Sequence, residues 1–495
     1  MTKVLVILGN QLFPEACIKK ISPTHIYMAE SRQFIEHGHC HKQKIHVFLA
    51  SMRRYCDDLQ KLGYSVCYRK LDDANEYGQK PFVKGLESFL KELDSSSLHF
   101  FEIEDSFFER ELFSWAKKSK IKLTIHETPM FLASRAEFKS YLDGTKKPFM
   151  KTFYERQRRR LGYLMTSEGL PKGGKFSYDN ENRKKLPKDY KPAPIWNKPI
   201  HHHDKNVAEL VKANFQDHPG ELDVFIWPTD RNEALDTLKH FIDNRLNTYG
   251  DYQDAISSKH DFVSHSLISS ALNQGLLIPG EVCDLVVKSK APLNCKEGLV
   301  RQVIGWREFV RGIYHNYESR LFTSNHWNHK RKFTSSWFEG TLGVPPVDDA
   351  IKKTLKYGYN HHIERLMILA NFMNLCEIEP LEVYGWFMSM YVDSSDWVMA
   401  ANVFGMGLMS DGGIFATKPY VSGSNYILKM SAYPSGPWCE IWNALYWRFI
   451  GKHKESFIKN PRMAMMVRQY EKQPEEKRKL HEKLAKNFLD KVTKS

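Results

Sequence analysis

The hydrophobic period of this chain changes once, and that change limits what it can fold into. Up to about residue 130, short β-rich runs alternate with helix-like segments. The runs are Val4–Leu8, His25–Met28, Ser65–Leu71, His99–Ile103 and Ile121–His126; Lys44–Leu62 and Pro81–Leu93 are two of the segments between them. Such alternation predicts βαβ units and a doubly wound parallel sheet with helices on both faces. From about residue 206 the two-residue period disappears. Helical patterns run through Val207–Asn214, Arg231–Leu246, Glu281–Lys288, Gly298–Tyr317, Asp348–Leu355, His361–Leu375, Pro380–Met390 and Glu475–Asp490, punctuated by prolines. The expectation is an α/β N-terminal domain over 1–130, a connector over 131–205 and a large all-helical C-terminal domain over 206–495.

Ligands of doubly wound sheets sit beyond the carboxyl ends of the strands. Gly9-Asn10-Gln11 directly follows the first strand, so it is a candidate contact loop, or else a plain βα turn. The connector is basic: Lys146-Lys147, Arg156-Gln157-Arg158-Arg159-Arg160, then Arg183-Lys184-Lys185, with one helix expected inside it. Gly173-Gly174-Lys175 lacks the spacing of a phosphate-binding P-loop. His201-His202-His203 is a loop tract that offers weak metal contact at most, with no partner at helical spacing. Lys and Arg number 72 against 58 Asp and Glu, a net charge of +14, which favours a polyanionic partner such as nucleic acid. The eight cysteines (17, 40, 56, 67, 283, 295, 376 and 439) form no CxxC pair and no zinc spacing, so no metal site and a reducing, intracellular setting are expected. No signal peptide and no apolar run of membrane-spanning length is visible, so a soluble, cytoplasmic monomer is expected.

Three clusters in the helical part could carry chemistry. Tyr249-Gly250-Asp251-Tyr252 through Ser264-His265-Ser266-Leu267-Ile268-Ser269 places hydroxyls and an imidazole before a helix, where they could hold phosphate or merely cap. In the segment 298–312, Gln302 and Trp306 share one helical face, and Arg307 and Arg311 another. That suits a planar base beside phosphates, or an indole in the core with solvated arginines. The third cluster is Tyr359-Asn360-His361-His362-Ile363-Glu364-Arg365, followed by Trp386, Asp393, Asp396-Trp397 and Asn402; one of the adjacent histidines could donate a proton near neutral pH.

Taken in order and spacing, these pieces resemble the photolyase/cryptochrome superfamily, and within it the prokaryotic (6-4) photolyases, also described as iron–sulfur bacterial cryptochromes and photolyases. The similarity runs through Leu8-Gly9-Asn10-Gln11-Leu12, Tyr252-Gln253-Asp254-Ala255, Arg301-Gln302 to Trp306-Arg307-Glu308, His361-His362-Ile363-Glu364-Arg365, Thr417-Lys418-Pro419-Tyr420 and Asn443 to Tyr446-Trp447. It implies an antenna domain, a connector and a helical FAD-binding domain that repairs UV lesions in DNA with light. It assigns the flavin to Tyr249, His265, Ser266, Leu267, Ser269, Gln302, Arg365, Asp393, Asp396, Met399 and Asn402. By the same resemblance His362, with His361, Tyr420 and Tyr426, serves the lesion. Indoles are readily oxidised, so Trp386, on the helix after the His-His motif, and Trp337 are candidates to relay electrons to the flavin, or else ordinary core packing. Trp306, Arg307, Arg158, Arg159 and Arg183 would meet DNA. Gly9, Asn10, Glu30 and Lys44 would hold a second chromophore such as 6,7-dimethyl-8-ribityllumazine.

Three departures qualify that assignment. Of the four cysteines that hold a [4Fe–4S] cluster in this branch, only Cys439 remains, one place off. Pro346, Pro434 and Glu440 stand at or beside the other positions, so no cluster is expected. Met399 stands where an acid is common, and Asn10 replaces the usual Asp of the lumazine loop. The alternatives to a (6-4) photolyase are a cryptochrome-like photoreceptor, a cyclobutane-dimer photolyase, or a nucleic-acid-binding protein with a degenerate flavin site.

Overall fold

A computed structural model describes residues 2–73, 77–461 and 463–494. The five expected strands form: β1 (Val4–Val6), β2 (His25–Ala29), β3 (Val66–Arg69), β4 (Ser97–Phe101) and β5 (Lys122–His126). They make one parallel sheet in the order β3-β2-β1-β4-β5, with Leu5 opposite both Ile26 and His99. The connecting helices are α1 (Glu15–Ile21), α2 (Arg32–His37), α3 (Lys42–Lys61), α4 (Phe82–Glu92) and α5 (Ser106–Lys118).

The two-residue period of β1 decides how this layer meets the rest. Val4 and Val6 pack with Tyr27, Phe82, Leu86 and Phe100 on one face. Leu5 and Ile7 point the other way and join a core shared with Phe138, Phe309 and the helical region. The two parts are therefore held by common apolar burial. A buried ion network reinforces the join. Arg311 donates to both oxygens of Glu104 at 2.7 Å and to Glu102 at 3.0 Å, and His315 lies 2.8 Å from Glu104. Burial opposes the Glu104 charge, but Arg311 outweighs it and holds the carboxyl well below its usual range. Arg311 is thus an internal strut.

The connector holds two helices, Arg135–Asp143 and Met150–Leu161, where the sequence suggested one. The first starts with a reciprocal Ser134/Glu137 capping box, a signal that sat outside the basic runs. Beyond residue 206 the expected helices form within a few residues of their predicted bounds. A short antiparallel pairing of Lys332–Phe333 with Thr493–Lys494, unseen in the sequence, fastens the end of the helix Glu475–Val492.

Three segments widen to π-helical turns: Arg301–Arg307, Glu364–Ala370 and Ala401–Gly407. A π turn inserts about one extra residue and redirects the side chains around it, and such turns concentrate at functional sites. Among the described residues no helix is long and apolar enough to cross a membrane.

Candidate functional site

All three π turns open onto one cleft of about 1270 Å³ in the helical region. They contribute Gln302, Val303, Trp306 and Arg307 from the first, Arg365 from the second, and Asn402 and Met406 from the third. Tyr249, His265, Ser266 and Ser269 line the cleft from the segment predicted to hold phosphate. Residues scattered over more than 150 positions in sequence thus face one volume.

One part of the wall is polar and rigid. Arg365 forms a two-pronged pair with Asp393 at 2.9 and 3.1 Å, donates to the Asn360 carbonyl at 2.8 Å, and lies 3.9 Å over the Tyr391 ring. Asn273, which the sequence reading missed, holds the Asp393 carbonyl at 2.9 Å and also lines the cleft. Asp254, quoted only as a piece of motif, lines it too; burial and then Asp179 push its pKa up to about 6.

The phosphate-side cluster has donors still unspent. The Ser269 hydroxyl is buried with no protein partner, and so are all three nitrogens of Arg245. Arg245 is 1% exposed, at the turn between the helices Arg231–Asn244 and Leu246–Tyr252, and burial lowers its pKa to about 10. A buried guanidinium without an anion is costly; Arg245 does not itself line the cleft but places its charge behind Tyr359, which does. The sequence signal for it, an arginine four residues before Tyr249, was legible but unread. The helix after Ile268 has only six residues, so side chains carry this segment's chemistry more than a helix terminus does. Leu267 does not line the cleft; it takes a left-handed backbone (φ 60°) and packs with Trp227 and Tyr359, which turns the chain between its flanking serines.

The two histidines separate as their adjacency requires. His362 is exposed within the cleft, whereas His361 is buried and stacks on His265 at 4.3 Å. His265 lies 2.9 Å from the Gln253 carbonyl, and burial followed by the His361 charge keeps its pKa well below normal. The cleft walls and then Arg365 push His362 down to about 4. Its resting form is neutral imidazole, not the imidazolium the sequence suggested. Tyr426 lies near Asp254 and Arg183, and Tyr420 packs half-buried against the core; neither lines the cleft.

Several predicted residues lie elsewhere. Arg158 is fully buried and donates to the carbonyls of Tyr163, Leu164 and Phe176, which removes it from any DNA surface. Arg307 is a cleft wall, sandwiched between Phe131 and Trp397 and bonded to Met130, so it too is withdrawn from DNA. Arg159 lies over Phe176, and Arg183 pairs with Asp179; both stay exposed. Met399 is buried in the core without lining the cleft. Trp386 donates to the Trp337 carbonyl at 3.0 Å and lies 6.0 Å from Tyr391, the ring beneath Arg365.

Asp396 belongs to a second cavity. This one, of about 960 Å³, lies past the ends of β1, β2 and β4 and is lined by Gly9, Asn10, Glu30, Lys44, Phe34, His37, Phe107, Asp105 and Asp396. It sits at the sheet's topological switch between β1 and β4. A side chain at Gly9 would collide with Met52 Sδ at 2.8 Å, so glycine leaves room there. Glu30 is saturated by Arg53, Tyr68 and the Leu71 amide, which makes it a brace. Lys44 reaches across to Ser394 at 2.8–2.9 Å. Asp396 is bonded to His37 at 3.1 Å and to Tyr384. Burial and then Asp396 raise Asp105 to about 7. Burial opposes protonation of His37, but its bond to Asp396 raises its pKa.

The residues fit FAD in the first cleft: a donor-rich end with unspent hydrogen bonds suits a diphosphate, and a polar wall of Gln302, Arg365, Asp393 and Asn402 suits a flavin ring edge. They do not fit an iron–sulfur cluster. Among the described residues no group able to hold a metal contains a cysteine. In the region of the branch's cysteines, Trp438 and Trp442 pack edge to face at 5.9 Å, and Trp442 rests on Phe372.

Comparison with known proteins gives a consistent result. Residues 5–227 match the family described as deoxyribodipyrimidine photo-lyase-related protein. The chain is 33% identical over 486 residues to the (6-4) photolyase of Agrobacterium fabrum, covering 94% of each. Among solved structures it is similar to a bacterial class III photolyase from Agrobacterium tumefaciens (TM-score 0.53, 18% identity, 82% of this chain and 80% of that one). It is also similar to a Synechocystis cryptochrome (TM-score 0.55, 13% identity, 93% and 89%).

Proposed function

The chain belongs to the photolyase/cryptochrome superfamily, and from that premise we propose that it is a light-driven DNA-repair flavoenzyme acting on (6-4) lesions. The observation that carries this reading is the single cleft where Tyr249, His265, Ser266 and Ser269 face Gln302, Arg365, Asp393 and His362. Reduced FAD, when bound, supplies the photoexcited electron that the repair reaction needs.

The chain's own residues do the rest. Tyr249, Ser266 and Ser269 bind phosphate oxygens; Arg365, fixed by Asp393, keeps a positive charge beside the ring. Trp306, half-buried in the cleft wall, offers an indole face on which a flipped base can stack. His362 is positioned to deliver a proton to the lesion. Its neutral resting state means that this proton must be gained when an anionic ligand enters, because a nearby negative charge raises an imidazole pKa. Tyr426 and Arg183 are proposed to contact the lesion and its phosphates at the cleft mouth. The second cavity is proposed to hold the antenna chromophore, with Asn10, His37 and Lys44 as its polar contacts.

Two experiments decide this. Purified protein should release a yellow flavin on heating and contain no iron above background. Under blue light, reduced protein should repair a (6-4) oligonucleotide. Repair of cyclobutane dimers alone would change the substrate; photoreduction without any repair would make the chain a photoreceptor.

A further inference from the structure

Outside both cavities, the loop that joins α2 to α3 meets the segment after the helix His202–Asn214 in a way that no flavin chemistry uses. Glu36, His39 and His218 each turn one ligand atom toward a common point, all within 4.8 Å of one another. We propose that these three residues form a structural site for a divalent transition metal of the zinc type, which pins the end of α2 to the segment after the helix His202–Asn214.

The geometry supports a coordination site more than a chance cluster. His218 is 3% exposed, and its Nδ1 lies 2.8 Å from the Cys40 carbonyl. That carbonyl can only accept, so Nδ1 carries the proton and Nε2 keeps its lone pair. This is the outer-shell contact that orients most metal-bound histidines. Nε2 faces Glu36 Oε2 at 3.6 Å. A tetrahedron with metal–ligand bonds of about 2.0–2.2 Å separates its ligands by roughly 3.3–3.6 Å, so this edge is already near its final length. The other carboxylate oxygen of Glu36 is held by Arg32 at 3.3 Å, which orients the free one. His39, exposed and in the left-handed region at φ 43°, lies beside His218 with ring centroids 4.2 Å apart and planes tilted by 33°. Two imidazoles and one carboxylate, with a position left to water, suit zinc or a neighbouring divalent ion better than calcium or magnesium.

The consequence is mechanical. His37, the last residue of α2, reaches Asp396, and His41, at the end of the loop, donates its amide to the Ser389 carbonyl at 2.7 Å. A metal at His39 would stabilise the rim of the antenna cavity by mass action. A second group, Asp57, His202 and His203, is the natural competitor. It is weaker because none of its ligands is fully buried and His203 is already spent on Asp57 at 2.8 Å.

The test uses full-length protein free of affinity tag, with Co²⁺ as a spectroscopic probe and Zn²⁺ as competitor. One equivalent of Co²⁺ should give visible tetrahedral bands that Zn²⁺ abolishes, and metal should raise the melting temperature. His218→Ala and His39→Asn should each weaken binding by more than the 10–100-fold typical of losing an outer-shell contact. His39→Asn alters an exposed residue and spares the fold. His203→Ala should leave binding unchanged. Binding that survives His39→Asn but is lost in His203→Ala, or no cobalt spectrum in the wild type, would overturn the proposal. Neither result touches the flavin site, which is read separately from the flavin spectrum.

Discussion

His362 and Arg245 show how burial sets the chemistry of single side chains. His362→Asn removes the exposed imidazole of the cleft, while keeping a polar group of similar size. Flavin content and affinity for damaged DNA should stay near wild type, and (6-4) repair should fall roughly 100-fold or more, measured as product formed per flash. An NMR titration should place the His362 pKa near its cleft-lowered value of about 4 in free protein, and higher with damaged DNA bound. Arg245→Met tests the orphaned guanidinium. Removing a buried charge that lacks a partner should leave the apoprotein as stable or more so. Losing a positive charge from behind the cleft wall at Tyr359 should weaken binding of the FAD diphosphate. Flavin-release titration and apoprotein melting read the two effects separately, and opposite signs distinguish a role toward the ligand from a structural one.

At the scale of elements, the helices around the cleft are joined by aromatic contacts that continue outward. Tyr391 touches Arg365 on one side and Trp386 on the other, and Trp386 is bonded to the Trp337 backbone. Trp386 is itself 1% exposed and lies behind a large open cavity between α2, Phe322 and Leu381. Trp386→Phe should therefore slow flavin photoreduction in the presence of an external reductant while FAD stays bound; an unchanged rate would take it out of the relay. Trp337 in turn donates to the Val492 carbonyl at 2.8 Å. The C-terminal helix thus holds Trp337 in place, with Phe488, Leu489 and Val492 all buried.

Across the whole molecule, the contact between the α/β and helical parts is set to weaken as pH rises. Asp105 has its folded pKa raised to about 7, above its value in an unfolded chain, so the folded state holds more protons between about pH 4 and 7. The Asp105 contribution to stability therefore falls across that window as pH increases. The raised pKa of His37 acts with the same sign, since its favourable contact with Asp396 is lost as pH climbs through the folded value. Asp105→Asn should flatten the melting temperature against pH from 5 to 8, and the difference from wild type should be largest at the alkaline end. Differential scanning calorimetry across that range checks both the sign and the window.

Period and turn chemistry determined much of this protein. The parallel sheet, the helical half and the helix Pro380–Met390, matched to its bounds, were legible because local pattern decides which residues must be buried. The resemblance carried by scattered motifs picks out Tyr249, His265, Gln302, Arg365 and His362, and the fold brings these five to one cleft. What tertiary structure alone decided was direction and pairing. Arg158 and Arg307 read as basic surface, yet fold inward onto carbonyls, because a chain cannot announce which of its charges will find internal acceptors. Asp393 and Asp396 are three residues apart, but Ser395 at the start of the helix Asp396–Ala400 sends them into different cavities. The π turns, Asn273 and the meeting of His39 with His218 depend on packing between distant segments, and no local pattern encodes that.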